Sequence, residues 1–139
     1  MFNIARQNGE QHEMDIQPKL EQHFNKRLVK LSTYHQMDFK DNEVRFYEVK
    51  KRNCKSTEYD DSMIGYNKIE FCNKQLKNSF FVFEFTDKIL YFEYIPKSKV
   101  TQHLGGRCDR GKEELKLYAY LPISEMKEIS QVLSLPLIL

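Results

Sequence analysis

Leu20, Phe24 and Leu28 recur every four residues behind Pro18, the spacing of a helix with one buried stripe. Proline is favoured at the first helical position, so the helix is expected to start there, with residues 1–16 a polar, loose or partly helical lead-in. Two strands follow. Residues 34–39 make one short apolar stretch, and Val44, Phe46 and Glu48 alternate with Arg45, Tyr47 and Val49 in the next. The residues between, Lys40 to Glu43, have the composition of a hairpin turn. A third strand near Val29–Thr33, or an extension of the 34–39 stretch, is also open. After a polar loop over 53–60, Asp60, Asp61 or Ser62 caps a helix running to about Lys77, with Ile69, Cys72 and Leu76 on one face. Gly65 falls inside that helix, where it costs about 1 kcal/mol against alanine.

Phe80–Phe85 and Ile89–Ile95 flank a turn at Thr86–Lys88 and are apolar on both faces, the pattern of strands covered from both sides. The polar stretch after Pro96, with glycines at 105, 106 and 111, reads as a loop. Leu115, Leu117 and Ala119 alternate with polar neighbours in a late strand. Ser124 then caps a last helix with Met126, Ile129 and Leu133 as its buried stripe. Helices on both sides of a two-faced apolar sheet predict an α/β fold, a three-layer α/β/α sandwich with a central mixed sheet. The chain reads as a single domain, 1–139, with its core over about 18–95 and a loop, late strand and helix over 96–139.

Composition narrows the chemistry. The 139 residues carry a net charge of only +2, so global charge does not point to nucleic acid. Lys50, Lys51, Arg52 and Lys55 nevertheless cluster after the second strand, where they could hold phosphates or simply be solvated. Cys54, Cys72 and Cys108 are odd in number and lack CxxC spacing, and the four histidines lack metal-ligand spacing. That argues against a disulfide framework and a structural zinc. No apolar run reaches membrane-spanning length, so a soluble, cytoplasmic protein with no membrane partner is expected.

The most telling chemistry lies around the hairpin. Residues two apart on a strand point the same way, so Glu48 and Lys50 share a face, and Asp38 can reach it from the neighbouring strand. Two carboxylates and an ammonium suit a hard divalent cation with a polarised water beside it. Glu-x-Lys recurs at Glu114 and Lys116 and at Glu125 and Lys127. The first has no room for a hairpin before it, and the second sits in a segment with helical spacing.

This arrangement resembles the PD-(D/E)xK superfamily of metal-dependent nucleases, with Met37 standing where the superfamily's usual proline precedes the aspartate. The resemblance implies a restriction-endonuclease-like fold and a divalent-metal-dependent hydrolysis of DNA using Mg²⁺ or Mn²⁺. Asp38 and Glu48 would bind metal, and Lys50 would orient the water or stabilise transition-state charge. Glu21, on the first helix, is the candidate for a further metal carboxylate, with Glu13 a weaker one; an ordinary helix-surface glutamate is the alternative. The run after Lys50 is similar to small phage and viral members, in which a second-helix lysine faces the site. Lys68 matches that position, or is a surface lysine. Lys51 and Arg52, with Arg107 and Arg110 on the glycine loop, are the remaining candidates for DNA contact; a loop ion pair with Asp109 is the alternative for the arginines. A homodimer or a protein partner is expected to complete the grip on a duplex. The rival reading is a noncatalytic nucleic-acid-binding or assembly module on the same fold.

Overall fold

The computed structural model describes residues 4–105 and 116–130, with side chains from Glu13 onward. Helix α1 (Ile4–Phe24) is followed by β1 (Leu28–Lys30), β2 (Phe39–Asp41) and β3 (Phe46–Lys51). Then come β4 (Asp61–Gly65), α2 (Tyr66–Asn73), β5 (Ser79–Glu84) and β6 (Ile89–Tyr94). The chain continues through β7 (Thr101–Gly105), β8 (Lys116–Pro122), a 3₁₀ turn (Ile123–Glu125) and β9 (Lys127–Ile129).

Six strands form the central sheet in the order β1-β2-β3-β5-β6-β9, and a second sheet has the order β4-β8-β7. The central sheet is mixed. Its β3–β5 pair is parallel, with Glu48 opposite Phe81 and Lys50 opposite Phe83, and its other pairs are antiparallel. A parallel pair cannot be joined by a tight turn, and β4 and α2 fill the crossover.

The strands at the centre bury both faces. On one side Tyr47, Val49, Phe80 and Val82 pack with Ile16 and Leu20 of α1. On the other, Phe46, Phe81 and Phe83 pack with Ile69 and Cys72 of α2 and with Ile64, Ala119 and Leu121 of the small sheet. The second face is therefore covered in part by strands. The fold is mixed α/β with a central mixed sheet and only two α-helices among the described residues, a coarser match to the expected α/β/α sandwich.

Several element boundaries differ from those the sequence predicts. Pro18 lies inside α1, on an exposed position, and the helix extends back to Ile4. Residues 34–38 form bends and turns, with β2 starting at Phe39, while β1 supplies the third strand. The expected helix from 60–62 begins instead as β4, whose Ser62 and Ile64 are buried between exposed Asp61 and Met63. Gly65 is the N-cap of α2, not an interior position. The stretch expected as a loop holds β7. The expected last helix is a 3₁₀ turn and β9, so Glu125 ends the 3₁₀ turn and Lys127 begins a strand. Leu133 lies outside the described residues.

The β2–β3 turn is organised by Asp41, whose side chain is fully buried. Its carboxylate accepts the backbone N–H groups of Glu43 at 2.9 Å and Arg45 at 3.0 Å, Arg45 Nε at 2.9 Å and the Tyr47 hydroxyl at 2.7 Å. Burial alone would raise the Asp41 carboxyl. The bonds from Arg45, Tyr47 and Glu43 outweigh it and hold the group below the usual carboxylate range. This turn sets the register that places Asp38 beside β3.

Candidate active site

Strand β3 runs through the middle of the central sheet, so its alternate side chains enter opposite cores. Phe46 joins the core beneath α2, and Glu48 and Lys50 follow it on the same face. Glu48 is only 2% exposed, whereas 41% of the Lys50 side chain reaches solvent. Two ammonium groups approach Glu48 Oε2: Lys50 Nζ at 3.6 Å and Lys68 Nζ at 3.3 Å. Lys68 arrives from α2 and also donates to the backbone carbonyl of Gln36.

Asp38 lies immediately before β2 and is held by the ladder on both sides. Its N–H donates to the Tyr47 carbonyl at 3.0 Å, and its carbonyl accepts the Leu31 N–H at 2.8 Å. Its Oδ2 accepts the Val49 N–H at 2.8 Å, which fixes the carboxylate against β3 next to Glu48. Burial first, and then the Asp38 charge and a hydrogen bond to Asp38, push the Glu48 carboxyl up to about 8, against the opposing pull of Lys50 and Lys68.

A third carboxyl reaches Asp38 from α1, and it is Glu13. Burial, the Asp38 charge and a hydrogen bond to Asp38 push it up to about 7, although Lys30 Nζ lies 3.4 Å away. Asp38 thus stands between two carboxyls that its charge pushes upward. Among the described residues no three His, Cys, Asp or Glu side chains surround a common point as a ready coordination shell. Carboxylate oxygens of this kind are the donors that suit a hard divalent cation.

The other expected site residues scatter. Glu21 turns to β1, where its Oε2 accepts the Leu28 N–H at 2.8 Å. The structure does not bring it to Asp38 or Glu48. Lys51 is exposed at the end of β3. Arg52 is engaged within the fold: Nε donates to Ser62 Oγ at 3.1 Å, Nη2 donates to the Met63 carbonyl, and the guanidinium lies 5.5 Å from the Phe83 ring centre. It ties the central sheet to β4. Arg107 and Arg110 lie outside the described residues.

A family model described as "Phage putative PDDEXK endonuclease" matches residues 5–129, which span every described element from α1 to β9. The chain belongs to that family. None of the curated proteins matches it. Its order of α1, a β1–β3 meander, α2 and β5 is compatible with a PDDEXK fold, with β4 inserted before α2. Among the described residues of this PDDEXK chain, no helix is long and apolar enough to cross a membrane.

Sequence reasoning ranked Glu13 below Glu21, yet the signal for Glu13 was present. Glu13 precedes Ile16, Leu20 and Phe24 at steps of three, four and four, so it extends the stripe that faces the sheet, and Glu21 stands one position off it. Placing the helix start at Pro18 cut the stripe short. The Gln36 carbonyl had no sequence signal, because its role depends on where α2 packs.

Proposed function

We propose that this chain is a divalent-metal-dependent endonuclease that hydrolyses DNA phosphodiester bonds at Asp38, Glu48 and Lys50. The observation that carries the reading is the convergence on Glu48 of one carboxylate, Asp38, and two ammoniums, Lys50 and Lys68, at one end of β3. Asp38 and Glu48 would hold the ion, with Glu13 rather than Glu21 as the helical carboxylate beside them. Mg²⁺ or Mn²⁺, when bound, supplies charge neutralisation and a more acidic water.

The protein's own residues have distinct tasks. Asp38, clamped by the Val49 N–H, presents its carboxylate in a fixed direction. Buried Glu48 anchors both lysines. Lys50 is the more exposed of the two, with 41% of its side chain in solvent against 20% for Lys68. Lys50 therefore is the group that meets the scissile phosphate and the attacking water. As water adds to phosphorus and the P–O bond breaks, its ammonium stabilises the growing negative charge. Lys68, nearer the interior, neutralises Glu48 and a flanking phosphate. Lys51, Arg107 and Arg110 extend the phosphate contacts.

The test is cleavage of linear, nicked, flapped and four-way DNA with Mg²⁺, with Mn²⁺ and with chelator. Cleavage with metal and none with chelator is expected. Lys50→Ala should slow it by about 10²–10³, the usual cost of one electrostatic contact to a transition state. Lys127→Ala, in the β9 copy of Glu-x-Lys, should change nothing. Binding that is equal with chelator, together with no cleavage under any metal, would favour the noncatalytic module.

A further inference from the structure

A cavity of about 370 Å³ opens beside the end of β3. Phe85, Met63 and Ile123 give it apolar walls, Tyr59 and Tyr120 supply aromatic rings, and Arg52, Lys55 and Asp61 bring charge. Its position matters as much as its lining. Glu48, Lys50 and Arg52 alternate along one line of chain, so Arg52 lies two residues beyond Lys50, about 7 Å farther on. A single nucleotide bridges that interval. The side chain of Tyr59 is available, since the residue is 66% exposed.

We infer that this cavity receives one unstacked nucleobase bearing an exocyclic amine, from the nucleotide next to the phosphate held at Lys50. The inference rests on the nuclease reading and names its substrate class: DNA with an unpaired base beside the cut, such as an overhang, a flap or a single strand. Three features favour a base over another apolar occupant. Bases stack on tyrosine and phenylalanine rings whatever their identity. Lys55 at the cavity and Lys50 on its approach are cations suited to the attached backbone. Asp61 offers carboxylate oxygens, which accept from an amine such as cytosine N4 and repel the carbonyl oxygens that thymine presents instead.

Cys54 is a free, half-buried thiol in the cavity wall, and it provides a readout that needs no catalysis. The unsubstituted chain, with Ca²⁺ as the hard divalent cation in place of Mg²⁺ to hold back cleavage, is mixed with short single strands of dC, of dT and of abasic sugar-phosphate. Binding is followed by fluorescence anisotropy, and iodoacetamide labelling of Cys54 by peptide mass spectrometry. The dC strand should slow labelling at least about fivefold more than the abasic strand, the lower end of what one stacked base contributes. It should also protect at least about fivefold better than dT, the lower end of single-base discrimination. Tyr59→Ala and Tyr120→Ala should each remove most of the protection while leaving anisotropy with the abasic strand unchanged. Strands that bind without protecting Cys54, or that protect equally with and without a base or with dC and dT alike, overturn the cavity assignment alone. A chain that binds none of the strands yet cleaves duplex DNA with Mg²⁺ overturns the cavity assignment alone, and one that neither binds nor cleaves any DNA overturns the nuclease reading with it.

Discussion

Glu13 and Glu21 are two glutamates of one helix with opposite surroundings. Glu13 faces Asp38 and Lys30, whereas Glu21 closes a single hydrogen bond to the Leu28 backbone. Glu13→Gln should therefore weaken Mg²⁺ binding and slow cleavage while leaving the metal-free melting temperature equal or higher, because it removes a crowded acid. Glu21→Ala should leave metal affinity unchanged and cost about 1 kcal/mol of stability, the usual worth of one hydrogen bond. Isothermal titration with Mg²⁺ and thermal melts of both variants separate the two roles. If Glu21→Ala, and not Glu13→Gln, lowers metal affinity, the helical carboxylate has been assigned to the wrong turn. The proximity of Asp38, Glu48 and Lys50 could be read from sequence because strand alternation and one hairpin fix their relation. Gln36 and the inward turn of Lys68 could not, since both depend on the packing of α2 against the bends before β2.

At the scale of elements, two links are open to test. The first is the β2–β3 turn. Asp41 sits below its ordinary value of 3.8. Its bonds therefore stabilise the fold fully above about pH 4 and are lost as pH falls through the lower, folded value. Asp41→Ala should cost about 3–5 kcal/mol at neutral pH, as expected on removing one partner of a buried charge network. It should also flatten the acid limb of the stability curve below pH 4, read by urea unfolding at several pH values. The second link is Arg52. Arg52→Ala should lose about 1.5–3 kcal/mol, the range for a charged hydrogen bond, and speed amide exchange in β4 more than in β5 or β6. Unchanged exchange in β4 would return Arg52 to the set of free phosphate contacts. The longest apolar runs, at β5 and β6, were the easiest elements to read, because they are buried on both faces. β4 was misread although Ser62 and Ile64 alternate with Asp61 and Met63, since the adjoining Tyr66, Ile69 and Cys72 supply helical spacing. β7 is exposed along nearly its whole length and carries no burial pattern to read.

For the whole molecule, a cation bound among the carboxyls of Asp38, Glu48 and Glu13 would relieve their crowding and stabilise the fold. Adding Mg²⁺ should raise the melting temperature, by about 10 °C at a hundredfold excess over its dissociation constant. Chelator should reverse the rise, and Asp38→Asn should abolish it. A melt insensitive to Mg²⁺ and Mn²⁺ at millimolar concentrations would remove the metal site. The two-sheet architecture also accounts for what the sequence left hidden at this scale. The small sheet joins β4 to β8, more than fifty residues later, with Met63 opposite Tyr120, and no local pattern announces a pairing of that span.

The parallel β3–β5 pair has a consequence for how the protein comes into being. Tyr47 meets Phe80 only after the chain between them has looped back, and closing such a loop costs entropy before its contacts repay it. Lys68 travels inside that loop, so the Glu48–Lys68 pair belongs to the last stages of folding, not the first. On a ribosome, β3 emerges with its acidic and basic groups well before β5 does. The nascent chain therefore passes through synthesis with Lys68 apart from Glu48, and the pair would close only when the crossover locks into the sheet.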